Sequence, residues 1–227
     1  LIPNFQNPAG HCYSLQRRRE IAALLDEKNI LLIEDDPYRD LCYDNVDLTP
    51  ISTLIKQAPW LYMGSFSKVL WPGLRTGYIV SCTVFSPYLV KVKQAVDLHT
   101  NRLGQSMITQ FFKSGQYPDH VSKLQQAYKS KRDVMAEALQ AELGDLVEFL
   151  LPSGGMFFWV KLPEGVSSQL VLTEALKDNV LVLPGTPFFP CKSPLDDSFL
   201  RLSFARVSPT QIYQAIALLA KVIRRLV

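Results

Sequence analysis

The strongest constraint is a pattern that occurs twice: a short apolar run that stops abruptly at a cluster of polar, chemically capable residues. Ile30-Leu31-Leu32-Ile33 is an unbroken run of strand length and ends in Glu34-Asp35-Asp36-Pro37-Tyr38. Leu61-Tyr62-Met63-Gly64 is the second and ends in Ser65-Phe66-Ser67-Lys68. A continuous apolar run predicts a strand covered on both faces, as in a parallel sheet. Ligands bind beyond the carboxyl ends of parallel strands in open α/β sheets, so both polar clusters are expected at one crevice.

The intervening segments fit that reading. Ser14 is placed to cap a helix running to Lys28, with Ile21, Leu24 and Leu25 at helical spacing behind a polar front of Gln16 to Arg19, and Asn29 reads as its stop. Thr49 and Pro50 are placed to open a short helix to about Gln57. A third apolar run, Tyr78 to Cys82, begins only ten residues after Lys68. That gap is shorter than the dozen or so residues a parallel crossover takes, so this strand is expected to be antiparallel. Helices are expected over Pro87 to Thr100, Gly104 to Ser114 and Pro118 to about Leu143. Beyond Gly144 the character changes, with strands at Val147 to Leu150, Met156 to Leu162 and Phe199 to Phe204, and helices at Ser168 to Asp178 and Pro209 to Val227. Gly115 and Pro118 punctuate the chain, which places the expected boundary between a larger domain, 1–117, and a smaller α+β domain, 118–227.

Composition narrows the function classes. At 227 residues, 48% hydrophobic and 20% charged, the chain has the makeup of an ordinary globular protein and not of a disordered or fibrous one. A net charge of +3, from 24 basic and 21 acidic residues without a long run, gives no electrostatic case for a nucleic-acid or membrane surface. Cys12, Cys42, Cys82 and Cys191 have neither metal-ligand spacing nor a disulfide framework, so a reducing, cytoplasmic compartment and no metal are expected. The longest apolar stretch, Leu146 to Leu151, is interrupted by Glu148 and falls far short of the ~20 residues that span a bilayer. The first residue is Leu1 rather than Met, and an amino-terminal part of a longer protein is expected to precede it.

The polar clusters carry the chemistry. Lys68 stands in a Gly/Pro-punctuated loop just past a buried strand, where partial desolvation favours the neutral amine and a Schiff base with a carbonyl. Ser65, Ser67 and Arg75 supply donors suited to a phosphate. Asp35 and Tyr38 put a carboxylate and a phenol within reach of one aromatic heterocycle, and a carboxylate at a ring nitrogen is the protein's contribution to pyridoxal chemistry. Taken singly, each reads otherwise: Lys68 as a solvated lysine, Asp35-Asp36-Pro37 and Asn7-Pro8-Ala9-Gly10 as turns. Strand alternation puts Phe199, Arg201 and Ser203 on one face and Leu200, Leu202 and Phe204 on the core face. Arg201 is therefore either cleft-facing or a plain arginine on an edge strand, and Arg206 is the competing carboxylate clamp. His11, His99 and His120 have no metal or triad spacing and read as surface or supporting residues, Gly154-Gly155 reads as a turn, and Phe157, Phe158 and Trp159 read as core and domain contacts.

The ordered segments Asn7-Pro8-Ala9-Gly10, Glu34 to Tyr38, Ser65 to Lys68, Gly73 to Tyr78 and Phe199 to Phe204 resemble the class I/II, fold-type I pyridoxal-phosphate aminotransferases, especially the 2-aminoadipate, kynurenine and aromatic subgroup. The resemblance covers nearly the whole chain. It implies an α/β fold: the carboxyl-terminal portion of a three-layer, mostly parallel large domain, plus a small α+β domain. It implies that Lys68 binds the cofactor aldehyde and moves the substrate proton, that Asp35 pairs with the pyridinium nitrogen, and that Tyr38 and Asn7 hold the ring hydroxyl oxygen. Ser65 and Arg75, with Ser67 as a further candidate, match phosphate ligands, while Arg201, with Asn7, matches the group that grips the substrate carboxylate. Implied too are pyridoxal 5'-phosphate, amino acid and 2-oxo acid substrates exchanged by a ping-pong mechanism, and a homodimer. The early glycine-rich phosphate contact and the ring-stacking aromatic of the family do not occur in these residues, so this piece alone is expected to form an incomplete pocket. Two rival readings stay open: the effector domain of a MocR-type transcription regulator, with DNA binding by an upstream winged helix, and elimination or decarboxylation on the same scaffold.

Overall fold

The computed structural model describes residues 1–190 and 197–227, so Cys191 lies outside the described residues. The chain forms two compact units, one of residues 1–6 and 11–125 and one of residues 7–10 and 126–227. The dividing point falls within a long helix, Tyr117–Leu143.

In the first unit, helix α1 (Leu15–Lys28) starts where the Ser14 hydroxyl accepts from the Arg17 N–H, and it stops where Asn29 takes the left-handed conformation at φ 49°. Strands β1 (Leu32–Asp35) and β2 (Trp60–Ser65) pair in parallel. Strand β3 (Gly77–Ser81) lies antiparallel against β2, as its spacing requires, so this sheet contains one parallel and one antiparallel pair in the order β1-β2-β3. Helices α2 (Ser86–Asp97), α3 (Arg102–Lys113) and the start of α4 (Tyr117–Leu143) follow.

Three local expectations need correction. The Ile30 to Ile33 run is not covered on both faces: Leu32 and Glu34 are buried, while Ile30, Leu31 and Ile33 are exposed, and the strand runs on through Asp35. Its covered side packs Leu32 against Ala22 and Ile51, with Leu25, Leu54 and Trp60 around them. The helix expected from Pro50 is a single 3-10 turn, Ile51–Thr53, without a side-chain cap from Thr49. Its amides are satisfied from beneath instead, where the buried Glu34 carboxylate accepts from Ile51 and Ser52, each at 2.9 Å. The polar front of α1 is interrupted as well, since Arg18 is fully buried and Leu24 faces solvent.

Arg18 is buried because its guanidinium closes several open backbone ends at once. Nε donates to the Tyr13 carbonyl at 2.9 Å, Nη1 to that of Thr49 at 3.1 Å, and Nη2 to that of Pro3 at 3.3 Å and to Asn4 Oδ1. A buried charge is tolerated only when its donors are used in this way.

The second unit holds an antiparallel sheet in the order β4-β5-β7-β6, from β4 (Glu148–Phe149), β5 (Phe157–Lys161), β6 (Leu183–Pro184) and β7 (Phe199–Ser203). Helices α5 (Ser168–Lys177) and α6 (Pro209–Leu226) complete it, α6 opening with a capping box between Ser208 and Gln211. The alternation expected of β7 holds, with Leu200, Leu202 and Phe204 buried. The strand is interior, between β5 and β6, so the edge-strand alternative for Arg201 falls away.

Replacing Arg18 by Leu takes a donor from three carbonyls, of which that of Pro3 keeps the Tyr13 N–H at 2.9 Å. With the other two costing about 1–3 kcal/mol each, a stability loss of roughly 2 kcal/mol or more is expected from urea denaturation of R18L. A loss under about 1 kcal/mol would mean that water or neighbouring groups replace the guanidinium.

Candidate active site

The parallel register sets Asp35 beside Met63, and Ser65 follows two residues further along β2. Both polar segments therefore leave the sheet at its carboxyl edge. Within β1, alternation sends Leu32 and Glu34 to the covered side and Ile33 and Asp35 to the other. Among the described residues nothing donates a hydrogen bond to the half-buried Asp35 carboxylate. Burial pushes its pKa upward; the Leu1 amine opposes the shift and Asp36 adds to it. A carboxylate so placed suits a cationic N–H partner.

Asp36 has the opposite environment. It is almost fully buried, and both its oxygens accept from Asn4 Nδ2 at 2.8 Å. Its Oδ2 also accepts from the Tyr62 phenol at 2.9 Å and from Arg39 at 3.4 Å. Burial, with Asp36 alongside, pushes the Tyr62 phenol well above its ordinary pKa, so Tyr62 remains a donor. Asp36, Asn4 and Arg18 were given no site role from sequence. For Arg18 a signal existed: it shares the i, i+4, i+7 stripe with Ala22 and Leu25.

Tyr38 is buried in the turn that follows, and the Lys68 ammonium lies over its ring, 5.7 Å from the centroid. Lys68 sits in a turn closed by the Leu70 N–H donating to the Phe66 carbonyl at 2.8 Å. Ahead of it, the Ser67 N–H donates to Ser65 Oγ at 3.1 Å, which brings these two serines together. The far side of the loop returns to β3, where the Phe66 N–H meets the Thr76 carbonyl at 3.2 Å. Arg75 ends a 3-10 turn (Pro72–Leu74) in a left-handed conformation, φ 51°. Its guanidinium is exposed and donates to the Pro72 carbonyl at 3.3 Å, so the structure does not bring it to either serine.

Gly64 lets the Tyr78 ring lie directly over the strand. A Cβ there would stand 2.2 Å from the Tyr78 ring, its cross-strand neighbour. The ring of Tyr78 also meets those of Tyr62 and Phe66, at 6.4 and 5.5 Å between centroids.

The second unit contains Asn7 and Arg201, and it brings them together. Arg201 Nη1 donates to Asn7 Oδ1 at 2.8 Å. The guanidinium carbon lies 4.2 Å from the Phe157 centroid and 5.1 Å from that of Phe188. Trp159, on the same strand face, stacks on Phe199 at 5.1 Å. Phe157 and Trp159 thus belong to an aromatic setting around the arginine, while Phe158 is core. A guanidinium oriented by two rings and one amide suits a planar carboxylate.

Within the first unit, Asp35, Tyr38, Lys68, Ser65 and Ser67 are residue types able to hold a phosphorylated heterocycle with a protonatable ring nitrogen, and within the second unit Arg201 is of a type that suits a carboxylate. The comparisons agree. The profile of aminotransferase classes I and II matches residues 1–219. An aromatic-amino-acid aminotransferase of Thermococcus litoralis is 35% identical over 98% of this chain and 53% of its own length. An uncharacterized HTH-type transcriptional regulator of Bacillus subtilis is 35% identical over 99% of this chain and 46% of its own. The crystal structure of the α-aminoadipate aminotransferase LysN of Thermus thermophilus, complexed with N-(5'-phosphopyridoxyl)-L-leucine, superposes with a TM-score of 0.93 at 34% identity, over 100% of this chain and 58% of that one. The chain belongs to the class I and II aminotransferase family, with the fold-type I architecture. It spans about half the length of the curated relatives it matches.

Because Asp35 has a folded pKa raised above its ordinary value of 3.8, its contribution to stability is complete below that value and is lost as pH rises through the raised one. In cofactor-free protein, D35N is therefore expected to be more stable than the parent at pH 7, with the advantage fading toward pH 3. Urea denaturation at several pH values measures this, and an advantage independent of pH would remove the ionisation of Asp35 as its cause.

Proposed function

We propose that the full-length protein is a pyridoxal-phosphate-dependent aminotransferase that moves an amino group between an α-amino acid and a 2-oxo acid by a ping-pong mechanism. The observation that carries this reading is the meeting of the two strand-end loops, with the Lys68 amine over the buried Tyr38 ring at 5.7 Å and Asp35 closing the adjacent parallel strand. The family match supports it. In this reading residues 1–117 are the carboxyl-terminal part of the large domain and 118–227 the small domain. The exposed apolar side chains of β1, β3 and α2, among them Ile33, Ile79, Val80 and Val92, then pack against the remainder of the large domain.

When bound, pyridoxal phosphate supplies an electron sink through its protonated ring. The chain's residues do the rest. Asp35 keeps a proton on the ring nitrogen, Tyr38 and Asn7 hold the ring hydroxyl oxygen, and Ser65, Ser67 and Arg75 take the phosphate. Lys68 anchors the cofactor aldehyde and then serves as general base at the substrate Cα. Arg201, held by Asn7 and two aromatic rings, grips the α-carboxylate. Among the described residues no helix is long and apolar enough to cross a membrane. We place the enzyme in the cytoplasm as a homodimer.

In the full-length protein, K68A is expected to lose multiple-turnover amino transfer by at least about a thousandfold. Retained turnover would overturn the assignment of Lys68. R201K keeps the charge but loses the planar fork, so the KM for the amino acid should rise roughly tenfold or more. An unchanged KM would move the clamp elsewhere, with Arg206 the first alternative.

A regulator reading is favoured by one observation, the 35% identity to the HTH-type regulator. It requires a DNA-binding module elsewhere in the full chain. Sequence-specific DNA binding without amino transfer, measured on the full-length protein, would replace the enzyme reading.

A further inference from the structure

We propose that His120 is a positioning residue for Lys68, acting through the backbone of the turn that carries the lysine. The proposal rests on the reading of Lys68 as the cofactor lysine. His120 lies in the first turn of α4, and its Nε2 is 2.6 Å from the carbonyl oxygen of Val69, the residue next to Lys68. A carbonyl only accepts, so the imidazole donates through Nε2. The ring is set by an edge-on contact with Phe111, at 5.6 Å between centroids and 87° between planes. Phe111 in turn meets Tyr117 edge-on at 6.3 Å, and Tyr117 donates to Asp40 at 2.6 Å.

The bond completes a clasp around the lysine. On the amino side, the Ser67 N–H is tied to Ser65 Oγ at 3.1 Å, at the end of β2. Across the turn, the Leu70 N–H reaches the Phe66 carbonyl at 2.8 Å. On the carboxyl side, the nearly buried Val69 is tied to α4 by His120. Without the third tie, the local turn bond is what remains, among the described residues, to fix the Val69–Leu70 peptide next to Lys68. A lysine has a flexible four-carbon stem, so the direction of its amine depends on how well its backbone is held. A general base tolerates displacement poorly: about 1 Å costs on the order of a hundredfold in rate.

Two variants of the full-length protein separate this role from packing. H120F keeps the aromatic edge contact and removes the donor. H120Q places an amide N–H close to the position of Nε2. In cofactor-free protein, hydrogen exchange of the Leu70 amide should accelerate about tenfold in H120F, as expected for loss of one hydrogen bond, and stay within about threefold of the parent in H120Q. In the loaded protein, kcat should fall about tenfold or more in H120F with KM for the amino acid changed less than about threefold, and H120Q should recover most of it. The fraction of cofactor fixed to position 68 by borohydride reduction should fall alongside kcat in H120F. Equal losses in both variants would reduce His120 to a packing residue and overturn the proposal, as would a kcat and a Leu70 exchange rate in H120F that match the parent. If the parent itself fixes no cofactor at position 68 while the exchange rates behave as described, the reading of Lys68 fails and the tie between His120 and the turn stands.

Discussion

The parallel pairing of β1 with β2 is the contact on which the first unit depends. With Asp35 in register with Met63, the ladder is carried one step further by the Asp36 N–H donating to the Met63 carbonyl at 3.0 Å. Two loops of different sequence then leave the sheet at one edge, which is how Tyr38 and Lys68 come into contact although 30 positions apart. An antiparallel pairing would send the loops to opposite ends of the sheet.

The same register divides three consecutive acids among three tasks. Glu34 and Asp36 point to one side and are buried, and each is saturated with donors: Glu34 by the amides of Ile51 and Ser52, Asp36 by Asn4, Tyr62 and Arg39. Asp35 points to the other side and, among the described residues, has no donor. Burying a polar group costs free energy unless it is hydrogen-bonded, and these two use their partners to tie the strand end to the turn at Ile51, to Asn4 and to Tyr62. The third is set by the same backbone but points the other way, and its half-buried carboxylate is what the proposed function assigns to a ligand.

Arginines illustrate how far environment overrides residue type. Arg18, on a helix that looks polar at its start, is fully buried and closes three carbonyls. Arg201, on a strand otherwise read as core and cleft, rests between Phe157 and Phe188 with its orientation fixed by Asn7. Arg75 is exposed, against the backbone of its own turn. Side-chain chemistry alone distinguishes none of the three. The number of carbonyls, rings and amides within reach does.

The longer helices, the antiparallel β3 and the alternation of β7 were legible in the sequence, because capping, periodicity and connection length act over a few residues. The chemical inventory of the candidate site was legible too, through the strand-end clusters around Asp35 and Lys68. What sequence could not supply was the partner of each group. The burial of Arg18, the turn at Ile51 in place of a helix, the two-residue strand β6 and the bond from His120 to the Val69 carbonyl all join positions far apart in the chain. Local propensity is fixed by neighbours along the backbone. Hydrogen-bond satisfaction in a packed interior is fixed by whichever donor the fold delivers, and only the tertiary structure decides that.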